Sequence, residues 1–259
     1  MSQICTISLY SGSVGNAFAI QTEQGTILID AGKNAKRLCM ALAEAGIAPE
    51  EIRAIFITHE HSDHISALPV FLKKHPIPVH IQAASAYRFA KDPVVAPLLC
   101  PHPPIFSETV CGLTVTSFPT PHDSRASVGY RFETNTNYAI GYATDIGYVS
   151  RDVENGLMGC TTVILESNHD VDMLMDGPYP YDLKKRIASR RGHLSNADSA
   201  EFAARLCECG VKQLMLAHLS QENNTPDAAY DACIGSIGSD RIDVAVAAPD
   251  ALTEFVWEI

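Results

Sequence analysis

Between Thr58 and His64 the chain reads Thr-His-Glu-His-Ser-Asp-His, which puts four potential metal ligands (His59, His61, Asp63 and His64) within six positions. Imidazole nitrogen and carboxylate oxygen are donors that suit zinc, manganese or iron. The spacing matters more than the number. The apolar run Ile55-Phe56-Ile57 just before them reads as a buried strand. As the chain leaves that strand, His59 and His61 can point together at one ion while Asp63 and His64 turn towards a second. Two ions roughly 3.5–4 Å apart can hold a hydroxide between them and clamp a phosphate or carbonyl oxygen. Ordinary loops rarely need four such donors, so a polar loop with coincidental histidines is the weaker reading.

Three further candidates each follow a segment that reads as a strand. His122 sits in the proline-stiffened stretch Pro119-Thr120-Pro121-His122-Asp123, placed to complete the first ion's set. Asp145, in Thr144-Asp145-Ile146-Gly147, is a natural bridging carboxylate, because an oxygen ligand can span two ions and an imidazole cannot; its plainer role is a helix cap. His218, after the apolar run 212–217, supplies the second ion's remaining ligand. Asp30 ends another strand. It either caps a local turn or accepts hydrogen bonds that hold the histidine loop in shape.

A second set of residues bears on substrate. The strand 161–165 ends in Glu166-Ser167-Asn168-His169-Asp170. Lys184, Lys185, Arg186, Arg190 and Arg191 then place five of the chain's nineteen basic residues within eight positions. A solvated face usually explains such a run. Here it leads straight into Gly192-His193-Leu194-Ser195-Asn196, so a phosphate-gripping patch that includes Ser195 is at least as good a reading. His193 can serve as a general acid that protonates a leaving oxygen, oriented by Glu166 or His169. Ser195 or Asn196 also caps the helix expected over 197–209.

The elements that must position these groups follow from periodicity. Strands are expected over 4–10, 17–21, 26–29, 79–82, 110–118, 128–133, 138–143, 242–247 and 252–257. Helices are expected over 34–45, 65–74, 83–90, 181–189 and from Pro226 to about 234. The loop Ser11-Gly12-Ser13-Val14-Gly15-Asn16 precedes a strand rather than a helix, so it is a turn bordering the cleft and not a phosphate loop. The proline-rich stretch 93–104 reads as a surface loop or short lid, with His102 solvated.

Composition sets outer limits. A chain of 259 residues, 46% hydrophobic and without a repeat or linker, is expected to form one domain over 1–259. A net charge of −11 argues mildly against a protein that coats nucleic acid in general, and leaves room for a local basic patch. The eight cysteines are scattered; with no export signal or membrane-length apolar run, reduced thiols in the cytoplasm are expected.

The ordered set His59-x-His61-x-Asp63-His64, His122, Asp145 and His218 resembles the metallo-β-lactamase fold superfamily over essentially the whole chain. That resemblance implies an α/β (α+β) four-layer αββα sandwich with a dinuclear site at one edge of its sheets. It puts His59, His61 and His122 on one metal and Asp63, His64 and His218 on the other, with Asp145 and a hydroxide bridging. Four segments (11–16, 165–170, 192–196 and 218–224) are similar to the YycJ/WalJ branch, whose members are described as 5′-to-3′ exonucleases on double-stranded DNA linked to mismatch repair. Phosphodiesterase relatives such as tRNase Z and the phosphonate-pathway cyclic phosphodiesterase carry a histidine that His193 matches. The resemblance therefore implies two divalent ions, manganese or zinc with iron also accepted, and hydroxide attack on phosphorus oriented in part by Asp63. It further implies proton donation by His193, a DNA substrate and a possible repair-protein partner, with no membrane role. Three alternatives stay open: a small-molecule cyclic phosphodiesterase, a thioester or lactone hydrolase, and a non-catalytic DNA-end-binding protein. The longer nucleic-acid-processing members add substrate-binding domains for which this chain has no room, so grip must come from the fold or a partner.

Overall fold

Runs of β-branched and aromatic residues, broken by Gly, Pro and Asn, build two sheets. The structure, a computed structural model, describes residues 3–238 and 242–258; Met1, Ser2, 239–241 and 259, which the single-domain and N-terminal expectations include, lie outside it. The first sheet has the spatial order Thr253–Glu258 (β14), Gln3–Tyr10 (β1), Ala17–Thr22 (β2), Gly25–Ile29 (β3), Ile52–Phe56 (β4), Val79–Gln82 (β5) and Leu99–His102 (β6). The second runs Asp243–Val246 (β13), Gln213–Ala217 (β12), Thr162–Glu166 (β11), Ala139–Ala143 (β10), Val128–Glu133 (β9), Leu113–Pro119 (β8) and Ser107–Val110 (β7).

Three apolar clusters make this a four-layer arrangement. Phe18, Ile20, Ile27 and Phe56 of the first sheet meet Tyr130, Phe132, Ile140, Tyr142 and Ile164 of the second in a buried layer between them. The outer face of the first sheet packs against helices Ala35–Glu44 (α1) and Leu68–Phe71 (α3). The outer face of the second is covered by Arg151–Leu157 (α4), Asn196–Glu208 (α7) and Pro226–Ile237 (α8). Short helices Ser62–Ile65 (α2), Val171–Asp176 (α5) and Tyr181–Ile187 (α6) occupy the connections. This is the expected αββα sandwich.

Strand direction explains where the chemistry collects. β3 and β4 pair in parallel, as do β10, β11 and β12. β8 runs antiparallel to β9, and β9 antiparallel to β10, so β8 ends on the same side as β10. The carboxyl ends of these strands thus share one edge, where open α/β sheets place their ligands. Asp30, His59, His122, Asp145 and His218 each follow one of them within a few residues.

Several local expectations are corrected. The helix expected over 65–74 is instead α2 and α3, broken at Ser66–Ala67: Pro69 has no N–H to give the Ile65 carbonyl, so the helix restarts around it. The strand expected over 110–118 is the hairpin β7–β8, turning at Cys111 and Gly112, both at positive φ. The helix over 83–90 is a single tight turn at Ala86–Phe89. The stretch 93–104 is not all loop, since β6 pairs in parallel with β5. α4 and α5 were not anticipated; each begins at a side-chain cap, Ser150 and Asp170.

His102 is half-buried rather than solvated. Its ring stacks on Phe106 at 3.8 Å, and its Nε2 lies 2.9 Å from Nδ1 of His80, which in turn stacks on Phe56. Burial, with His102 adding to it, lowers His80 from the ordinary imidazole value to about 4. A depressed histidine binds its proton more readily in the unfolded chain. Its contribution to stability is therefore complete above about pH 6.5 and is lost as pH falls towards 4. Between pH 7 and pH 4.5, wild type should lose about 2 kcal/mol more than His80→Phe in urea unfolding. Equal losses in both proteins would show that His80 does not titrate in this way.

Candidate active site

Three left-handed residues begin the site. Asp30, Asp145 and His218 have φ of 61°, 58° and 59°, half of the six non-glycine residues at positive φ among those described. Such a backbone costs about 1 kcal/mol or more at each non-glycine position and persists where surrounding contacts over-determine it. At Asp30 those contacts are visible. Its Oδ1 accepts the Thr58 N–H at 2.8 Å; its Oδ2 lies 2.9 Å from the Thr58 hydroxyl and 2.7 Å from His64 Nδ1. The carboxylate orients the loop that carries the four-ligand motif, the second of the two roles expected for it.

The candidate ligands converge. Donor atoms of His59, His61 and His122 lie within 4.8 Å of one another. So do those of Asp63, His64 and His218, and those of His59, His64 and Asp145. Asp145 stands between the groups: its Oδ1 is 3.5 Å from His218 Nε2 and 3.7 Å from His122 Nε2, and its Oδ2 is 3.3 Å from His64 Nε2. Asp63 Oδ2 reaches 3.2 Å from His64 Nε2 and 3.7 Å from His218 Nε2.

The donor set fits divalent cations on an observation of its own. His59 Nε2, His218 Nε2 and Asp145 Oδ2 are buried with no hydrogen-bond partner among the described residues. Buried polar atoms are ordinarily paired, and the missing partner here is one that accepts both imidazole and carboxylate lone pairs.

Ionisation follows the same division. Burial pushes His59 well below the usual imidazole range, and the neighbouring His64, His122 and His61 push the same way. Burial would also lower His64 and His218. At His64 the carboxylates of Asp63, Asp145 and Asp30 outweigh it and hold the ring well above its ordinary value. At His218, Asp145, Asp63 and Glu166 raise it to about 10. Asp145 is itself buried, yet His218 and His64 keep it well below the carboxylate range.

His193 lies between the two halves, its ring 5.2 Å from that of His122 and 5.2 Å from that of His218. Its Nδ1 is 2.7 Å from Glu166 Oε1, which leaves Nε2 for a substrate oxygen. The same Glu166 oxygen is 3.1 Å from His218 Nδ1, and Oε2 accepts the Ile146 and Leu194 N–H groups. Burial would raise Glu166; His193 and His218 bring it down to about 2. Of the two groups expected to orient His193, Glu166 makes the contact. Among the described residues His169 makes no hydrogen bond to it; its carbonyl accepts from the Asn196 N–H, and its buried Nδ1 has no partner there.

The basic run is spread around this edge. Arg186 Nε donates to Asp123 Oδ2 at 2.5 Å, Arg191 donates twice to the His122 carbonyl, and Arg190 lies over the Tyr148 ring. Lys184 donates to the Met175 carbonyl and Lys185 lies over Tyr181. Ser195, expected in the phosphate patch and also as a helix cap, makes the cap. Its hydroxyl accepts from the Asp198 N–H and donates to the Asp198 carboxylate, capping α7.

Two acids were missed from sequence. Asp123 Oδ1 lies 3.4 Å from His122 Nε2 and 3.9 Å from His61 Nε2. Glu60, between two ligand histidines, accepts the Ser85 hydroxyl at 2.5 Å and the Arg125 N–H at 2.9 Å, pinning the motif to two other loops. The adjacency of Asp123 to His122 was a usable signal. Nothing local in the sequence marks the partners of Glu60.

With this geometry in hand, likeness to known proteins can be placed. Residues 25–219 match the family described as the β-lactamase superfamily domain. The exodeoxyribonuclease WalJ of Streptococcus pneumoniae serotype 2 is 34% identical over 242 residues, covering 92% of this chain and 90% of that one. The exodeoxyribonuclease YycJ of Bacillus anthracis is 35% identical over 225 residues, covering 85% and 84%. Among solved structures, the metallo-β-lactamase fold protein YhfI from Bacillus subtilis superposes with a TM-score of 0.73 at 17% identity, over 98% of this chain and all of that one.

Replacing Asp30 by Ala would leave the Thr58 N–H, its hydroxyl and His64 Nδ1 without their acceptor. We expect a loss of about 3 kcal/mol in stability and roughly 10–100-fold weaker retention of a divalent metal against a chelator. Wild-type metal retention in Asp30→Ala would show that the carboxylate does not shape the site.

Proposed function

The chain belongs to the β-lactamase superfamily and, within it, to the family of the exodeoxyribonucleases WalJ and YycJ, and on that premise we propose that it is a metal-dependent phosphodiester hydrolase acting as a 5′-to-3′ exonuclease on double-stranded DNA. The observation that carries this reading is His193, held by Glu166 between the two ligand groups with basic residues close by. A thioester hydrolase, whose thiolate departs without a proton, has less need of a proton donor aimed at the leaving group, or of cations beside it.

In this reading His59, His61 and His122 would hold one divalent cation and Asp63, His64 and His218 a second, with Asp145 standing between the two groups. Manganese or zinc is the expected metal, with iron acceptable to the same donors. Bound there, such cations would supply an activated water and neutralise charge on the phosphoryl oxygens. The chain does the rest. Asp63, turned towards His218 and His64, orients the attacking water. His193 donates a proton from Nε2 to the departing oxygen while Glu166 keeps its Nδ1 hydrogen-bonded, which fixes tautomer and direction together. Arg186, Arg190, Arg191 and the two lysines supply positive potential for flanking phosphates, a contact that fixes register without reading bases.

Eight unpaired cysteines support a reducing, cytoplasmic setting, and no described helix is long and apolar enough to cross a membrane. A part in DNA repair, with a repair protein as partner, follows from the family reading.

The test uses end-labelled linear duplex DNA with manganese. Wild type should shorten it from the 5′ end, and His61→Ala should not. His193→Ala should cut DNA roughly 10²–10⁴-fold more slowly, the usual worth of a general acid. On a p-nitrophenyl phosphodiester, whose leaving group needs no proton, it should lose far less. Shortening from the 3′ end would overturn the polarity. Intact duplex together with cleavage of a cyclic phosphodiester would overturn the DNA substrate.

A further inference from the structure

Adjoining His122 is a cleft of about 580 Å³ whose walls include Ser124, Arg125, Tyr148, Arg190 and Arg191. Among the described residues no aspartate or glutamate lines it, in a chain that has 30 acidic residues and a net charge of −11. Sites for small organic ligands run from roughly 300 to 1,000 Å³, so this volume suits a single nucleotide and not a duplex.

Two of the arginines are held in an unusual way. The Arg190 guanidinium lies 4.0 Å from the centre of the Tyr148 ring, and that of Arg125 lies 4.1 Å from the Tyr87 ring. Stacking fixes the plane of a guanidinium without using its N–H groups, and neither side chain has an ion pair among the described residues. Arg191 is fixed differently, by two N–H bonds to the His122 carbonyl, which ties the cleft wall to the loop bearing that histidine. The backbone N–H of Arg125 is bound in turn by Glu60, within the four-ligand motif. The cleft wall and the ligand cluster are therefore joined by direct hydrogen bonds.

We propose that this cleft is a mononucleotide subsite: Arg125 and Arg191 take the phosphate, and the base lies against the Arg190–Tyr148 stack. The assignment rests on the phosphodiesterase reading for its place in catalysis, where it would seat the nucleotide flanking the bond to be cut. It changes the part given to Arg190, from a phosphate contact to a stacking platform, and adds Arg125 and Tyr148, which the basic run does not include. The unspent fork of Arg125, with the N–H groups of Arg191 that do not bond the His122 carbonyl, recognises phosphate, and a guanidinium stacked on an aromatic ring presents a flat cationic face to any base. Such a platform is tolerant of sequence, as an exonuclease requires.

The test is calorimetric titration of the metal-loaded protein with deoxyadenosine 5′-monophosphate, deoxyadenosine and inorganic phosphate. Arg125→Ala should weaken the monophosphate roughly tenfold or more, the worth of one charge-assisted contact. Tyr148→Leu should weaken it roughly tenfold as well, while leaving inorganic phosphate unchanged, because only the nucleotide has a base. Tyr148→Phe should bind as wild type. Equal affinity for inorganic phosphate and the monophosphate, or unaltered monophosphate binding in both Arg125→Ala and Tyr148→Leu, would overturn the subsite. Failure of the exonuclease reading looks different: DNA stays intact while the monophosphate still binds in a Tyr148-dependent way.

Discussion

Ionisable side chains gathered where water cannot reach them must balance one another or bind a cation. In this protein that balance is struck around Asp145, which stands within 3.7 Å of imidazole nitrogens on His64, His122, His193 and His218. The two flanks differ. His59, His61 and His122 form an imidazole-only group, and burial leaves His59 and His122 reluctant to take a proton. The other flank is rich in carboxylates, which raise His64 and His218 above the ordinary imidazole value. Divalent cations would replace both arrangements with one: lone pairs on the first flank, and charge for the carboxylates on the second.

Holding that cluster falls to the residues around it, and here the family-like segments find a physical purpose. Asn196 Oδ1 accepts the Ser167 hydroxyl and an N–H of Asn224, while the same Asn224 amide nitrogen lies within bonding distance of the Ser167 and Asn168 carbonyls. Asn168 donates from its side chain to the His218 carbonyl, and its own carbonyl accepts from Ser220. The segments 165–170, 192–196 and 218–224 are therefore one hydrogen-bonded block beneath Glu166, His193 and His218. Neutral amides suit this work: each can donate and accept, and none adds charge to a crowded site. On the opposite side Asp30 and Asn16 do the same for His64.

The strong negative charge of the chain and a phosphate-bearing substrate are compatible because the field is local. Of the acidic groups near the site, Asp63, Asp145 and Glu166 are turned into the cluster, Asp123 is paired with Arg186, and Glu60 is held by the Ser85 hydroxyl and the Arg125 N–H. The cleft beside His122 has arginines and no carboxylate among its walls. A cleft lined by one sign of charge attracts its ligand whatever the net charge of the whole.

The strands and the grouping of His59, His61, Asp63, His64, His122, Asp145 and His218 at their ends were legible in the sequence, while the αββα layering came from the resemblance to a known family. Buried strands announce themselves as apolar runs, and donors placed directly after parallel strands must meet at one edge. The cap at Ser195 was equally legible, since capping is a matter of three or four neighbouring residues. The contacts that are distant in sequence were decided only by the tertiary structure. Glu60 with Ser85 and Arg125, Arg186 with Asp123, and Arg191 with the His122 carbonyl join segments more than twenty residues apart. Among Glu166 and His169, both plausible from spacing, packing alone selected Glu166 to hold His193. The edge strand β6 escaped notice for a related reason: its pattern is weak, and it becomes a strand because β5 offers it a partner and Phe106 covers His102. Periodicity reports what a segment buries. Which partner it finds depends on where the whole chain brings the other side.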